Sequence, residues 1–100
     1  MKNVILSADG NSIVYSVPDE VADNLSDYCL QFCSEWLPNS PDAARYRVKG
    51  VLCYDESDFI SYLNQFVFPD KRSEFVADLG WIGSGDEYPV EYRDCPRFNF

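Results

Sequence analysis

The sequence predicts an α+β domain: a small antiparallel sheet, made of an N-terminal hairpin and one later strand, packed with two main helices. Three observations carry that prediction. The chain has 100 residues, 46% hydrophobic and 16% aromatic, which is ample apolar surface for one core and too little length for two. A strand-like composition gives way to a helical period at Pro18. A second helical period opens behind Asp55, a natural N-cap. No repeat, low-complexity tract or linker divides residues 1–100, so a single domain is expected.

The elements follow in order. Val4-Ile5-Leu6 and Ile13-Val14-Tyr15-Ser16-Val17 are rich in β-branched and aromatic residues, and Asp9-Gly10-Asn11 between them suits a hairpin turn. Pro18 supplies a preset φ for a first helical turn, with Asp19 and Glu20 at the positive end of the helix dipole. Val21, Leu25, Tyr28, Phe32 and Trp36 form one apolar stripe to about Leu37, where Pro38 should stop the helix. Ser40-Pro41 suits a short helical turn through Ala43 and Ala44. Arg45 to Tyr54 alternates like a strand, with Gly50 a possible bulge, and supplies the third strand of the expected sheet. Phe59, Ile60, Leu63, Phe66 and Val67 define the second main helix, broken at Pro69-Asp70. Ser73 to Leu79 reads as a further short helix closed by Gly80. Gly83 to Glu87 is a polar loop, Pro89 to Tyr92 a helical turn, and Phe98-Asn99-Phe100 is too apolar for a free tail.

Composition narrows the chemistry. Seventeen Asp and Glu against eight Lys and Arg leave a formal charge of −9, which argues against direct binding of nucleic acid through its phosphates. The chain has no histidine, the usual general base and proton shuttle near neutral pH, and no enzyme is expected. Met1 to Leu6 reaches Ser7 and Asp9 before a signal-peptide core can form, and no apolar run approaches a membrane span. A cytoplasmic protein with no membrane partner is the expectation.

In a reducing compartment, four cysteines read as thiols or metal thiolates before disulfides. Cys29 and Cys33 share one helix face at about 5–6 Å, too wide for a disulfide but compatible with two thiolates on one metal ion. Cys53 at the expected strand end and Cys95 in Asp94-Cys95-Pro96 complete a four-thiolate set. One structural zinc on Cys29, Cys33, Cys53 and Cys95 is therefore expected, with packed free thiols as the alternative and disulfides a third.

The acids are patterned as well. Asp19, Asp23 and Asp27 recur every four residues with Glu20 alongside, and Asp86, Glu87 and Glu91 form a second cluster near Asp94. A solvated face is the default explanation of such stripes; a surface complementary to a basic cleft is the functional alternative. Asp55-Glu56-Ser57-Asp58 is better read as a helix N-terminus than as paired catalytic carboxylates. Arg45, Arg47 and Lys49 make the one basic segment.

Asp27 to Leu37, Val51 to Phe59 and Asp94 to Phe100 resemble segments of small acidic type II-A anti-CRISPR proteins from phages and mobile elements of Gram-positive bacteria, in particular a zinc-binding member. That resemblance implies a non-enzymatic inhibitor, acting in the bacterial host cytoplasm, that binds the type II RNA-guided CRISPR nuclease and blocks DNA loading or cleavage. The partner surface would be Asp19, Glu20, Asp23 and Asp27 or Asp86, Glu87 and Glu91. A zinc-stabilised interaction adaptor and an antirestriction-type DNA mimic are the alternatives.

Overall fold

Lys2–Ser7 (β1) and Asn11–Val17 (β2) pair antiparallel as the expected hairpin, with Val4 opposite Tyr15 and Leu6 opposite Ile13. The structure, a computed structural model, describes residues 1–8, 10–82 and 88–100. Gly10 turns the hairpin at φ +97°, where a side chain is strained, and a Cβ there would lie 2.8 Å from Cδ1 of Trp81. Glycine thus serves the turn and the close approach of an indole ring together.

The architecture is α+β, but the third strand is not the one the sequence suggests, a fourth joins it, and the sheet is mixed rather than the antiparallel one expected. Glu74–Trp81 (β5) pairs antiparallel with β2, and Arg97–Asn99 (β6) runs parallel to β1, giving the mixed order β5-β2-β1-β6. The helix expected at Ser73 to Leu79 is a strand, and the strand expected at Arg45 to Tyr54 is absent from this sheet. Arg47–Val48 (β3) and Val51–Leu52 (β4) instead form a separate two-residue ladder. Its turn, Lys49-Gly50, has positive φ at both positions, 51° and 79°, as a tight hairpin requires.

The first helical region is one path in several pieces. Asp19–Asp23 (α1) follows Pro18, which stands at the N-cap, and Asn24 interrupts it with φ −133° while its side-chain amide donates to the Glu20 carbonyl. Leu25–Leu30 (α2) continues through a π-helical stretch, Gln31–Trp36, into Leu37–Asn39 (α3). Pro38 does not stop the helix but lies in this last turn. Having no N–H, it cannot complete an α-helical bond to the preceding turn, which fits the wider winding just upstream. The end is capped by Asn39, whose amide reaches the Glu35 carbonyl, and by Arg47, whose guanidinium donates to the carbonyls of Leu37 (2.7 Å) and Ser40 (2.9 Å). The short turn after Ser40 is present as a 3-10 helix, Pro41–Tyr46.

The second helix is as expected. Asp55 accepts from the amides of Ser57 and Asp58 while Asp58 accepts from the Asp55 amide, a reciprocal capping box that starts Glu56–Tyr62 (α4). Burial holds the Asp58 carboxyl above its usual range. The helix runs on as a π stretch, Leu63–Val67. Asn64 then ties it to β5, its side chain accepting from the Ser73 amide (2.7 Å) and donating to the Ser73 carbonyl (3.1 Å). Asn64→Ala removes both bonds from a partly buried backbone, so a loss of about 1–3 kcal/mol in chemical denaturation is expected.

Sheet and helices meet in one apolar cluster. Val4, Leu6, Ile13, Tyr15 and Val17 point from the sheet onto Val21, Leu25, Phe32, Phe59 and Leu63. Burial pushes the Tyr15 hydroxyl up to about 12. Phe32 is the hub: its ring lies 5.3–6.1 Å from those of Trp36, Tyr54, Phe59, Tyr62 and Phe100. The chain end is therefore packed, and the Phe100 amide also donates to the Ser7 carbonyl.

Candidate functional site

The helical acids reach solvent as the period requires, for Asp19, Glu20 and Asp23 on α1 and Asp27 on α2 are all exposed. The fold, however, brings cations to three of them. The N-terminal amine lies 2.9 Å from Asp19, Lys2 2.7 Å from Asp23, and Lys71 3.6 Å from Glu20. Bonding to the amine holds the Asp19 carboxyl below its usual range, and the Asp23 carboxylate raises the Lys2 ammonium. Asp27 has no cation partner among the described residues. Lys2 neighbours Asp23 because β1 begins beside α1, and Lys71 follows the second helix, contacts that spacing along one helix cannot reveal. In the second acidic cluster, Asp86 and Glu87 lie outside the described residues, while Glu91 is exposed on the 3-10 turn Val90–Tyr92.

The cysteines differ in burial. Cys29 is fully buried in the core cluster, and burial pushes its thiol far up, with Cys33 adding to the shift. Cys33 and Cys95 are half-buried, and Cys53 is exposed. Among the described residues no three His, Cys, Asp or Glu side chains form a group that could hold a metal ion. The four thiols are not clustered as placed. This burial order predicts the result of alkylation: Cys53 modified first, Cys33 and Cys95 slowly, and Cys29 only after unfolding. Protection of all four that a chelator lifts would instead reveal metal thiolates.

In the basic segment Arg45 and Lys49 are exposed, and only Arg47 is half-buried. Arg47 is committed to the helix end, and Arg45 lies over the Tyr46 ring at 4.8 Å.

Two features have no counterpart in the sequence reading. One is the outer strand β5, which has no partner on its far side among the described residues and exposes Phe75, Val76 and Trp81. The other is an open groove of about 360 Å³ between the first helical path and α4, lined by Gln31, Glu35, Trp36, Asn39, Ser40 and Tyr62. Trp36 and Tyr62 are half-buried with ring centroids 4.9 Å apart, and Phe66, 5.3 Å from Trp36, is 47% exposed. Trp36 and Phe66 belong to apolar helical stripes, so in the sequence they look like core. Their position in π-helical stretches turns them toward the rim, and the periodicity carries no mark of that rotation.

No family model, curated protein or solved structure matches this chain. Among the described residues, no helix is long and apolar enough to cross a membrane.

Proposed function

We propose that this chain is a non-enzymatic binding protein whose carboxylate face engages a basic surface of a protein partner. The observation that carries the reading is the exposure of Asp19, Glu20, Asp23 and Asp27 along one helical path in a chain of net charge −9. The lack of histidine supports a role in binding rather than catalysis. The resemblance to type II-A anti-CRISPR proteins supplies the partner: the type II CRISPR nuclease in the bacterial host cytoplasm, whose heteroduplex channel is positively charged. Occupying or flanking that channel would hinder DNA loading or cleavage. A structural zinc on Cys29, Cys33, Cys53 and Cys95 is supported by the cysteine spacing alone, and the alkylation series reads it out.

A pull-down against the nuclease, with and without guide RNA and at low and high salt, tests this function. Salt-sensitive capture together with reduced DNA loading is the expected result. Capture that salt does not weaken would remove the acidic face from the interface. No capture would leave an adaptor, or an antirestriction-type mimic with another target.

A further inference from the structure

We propose that the groove between the first helical path and α4 is a binding site for an arginine side chain presented by a partner protein. Gln31, Glu35 and Asn39 are spaced four residues apart and climb one face of the first helix, while Tyr62 forms the opposing wall. The groove has two kinds of lining, aromatic rings and hydrogen-bond acceptors. Trp36 and Tyr62, each half-buried, meet at an interplanar angle of 54° and form an aromatic corner at the groove against which a flat cation can pack. Beside it stands the Glu35 carboxylate, near enough that its charge adds to the burial that raises the Tyr62 hydroxyl. Asn39 spends its N–H on the Glu35 carbonyl, which leaves its side-chain oxygen to accept. Among the described residues, no Lys or Arg lines the groove.

That combination selects its occupant. A phosphate or carboxylate would meet Glu35 with no compensating cation. An apolar side chain would cover the rings but make no use of the exposed Glu35 carboxylate beside them. A lysine ammonium satisfies the charge, but it is strongly hydrated and offers no flat face. A guanidinium stacks on a ring while its N–H fork reaches the carboxylate and the amide oxygen, so all its groups are used. Arginine and aromatic side chains are also the groups that most often dominate protein interfaces. The proposal rests on the preceding reading only for the identity of the chain that carries the arginine.

N-acetyl-arginine amide is a suitable probe, titrated at constant ionic strength into a Trp81→Phe background. Trp36 is then the sole tryptophan, and its emission reports the groove. A saturable change with roughly millimolar affinity is expected, weakened about fivefold in Glu35→Gln. N-acetyl-lysine amide should bind at least several-fold more weakly. A linear response, an equal response to both amides, or an affinity unchanged by Glu35→Gln would each overturn the site. Near-ultraviolet circular dichroism of Glu35→Gln shows whether the groove aromatics keep their packing, and Glu35→Asp, which keeps the charge on a shorter arm, should bind between wild type and Gln. If the probe binds as expected but the nuclease is not captured, the site stands and the partner assignment falls; the reverse pattern removes the site alone.

Discussion

Phe32→Ala is expected to lower the unfolding free energy by about 3–5 kcal/mol. The side chain is fully buried, and five other rings pack around it. Those rings come from the first helical path, the loop before α4, α4 itself and the C-terminal residue. Removing the hub therefore loosens four parts of the chain together, and the rigid neighbours cannot collapse to fill the space. A domain of this size has about 5–15 kcal/mol in all, so the variant should lie near the edge of folding. Urea denaturation followed by circular dichroism measures the loss. Leu30→Ala, on the same path but about half exposed, should change stability by less than about 1 kcal/mol. Equal losses for the two would mean that the aromatic cluster does not organise the fold.

What the sequence reveals of this fold is what local chemistry determines. The hairpin shows in its β-branched runs and turn, and α4 shows in Asp55 and Asp58, whose carboxylates act within four residues of their targets. β5 is illegible for the opposite reason. Phe75, Val76 and Leu79 recur at one, three and four residues, which suits a helix, and Gly80 looks like its end. The segment is a strand because β2 offers it an open edge, and the pairing proceeds with two register shifts that blur the period of two. Long-range pairing overrides a weak local preference there. Arg45 to Tyr54 fails conversely: its alternation is genuine, but Arg47 is drawn to the helix-end carbonyls and the remainder closes on itself at Lys49-Gly50. The exposure of the four helical acids is legible, since both short helices turn Val21 and Leu25 inward despite the break at Asn24. Their partial neutralisation is not, because Lys2 and Lys71 are distant in sequence. The groove was hidden because its aromatics share a period with the core.

Neutralising the carboxylate face is expected to slow association with the proposed basic partner roughly tenfold at low salt, with a much smaller difference at high salt. The variant carries Asp19→Asn, Glu20→Gln, Asp23→Asn and Asp27→Asn, so side-chain size is nearly unchanged while the four charges go. Opposite charges across an interface act mainly on the encounter, so the change belongs in the association rate rather than the dissociation rate. Stability should move little, because the ion pairs lost are solvent-exposed. Lys2 sits 2.7 Å from Asp23, so an approaching partner meets that carboxylate largely cancelled, whereas Asp27 has no such cation among the described residues. Asp23→Asn, however, uncovers the Lys2 ammonium, so each single variant takes one unit of negative charge from the face and the two should slow association by similar amounts. Stopped-flow or surface-based kinetics at two salt concentrations reads these rates, with a variant carrying Asp86→Asn, Glu87→Gln and Glu91→Gln for comparison. Equal rates for wild type and both neutralised variants would assign the acids to solubility, and the contact would then have to be carried by exposed aromatic side chains such as those of the groove.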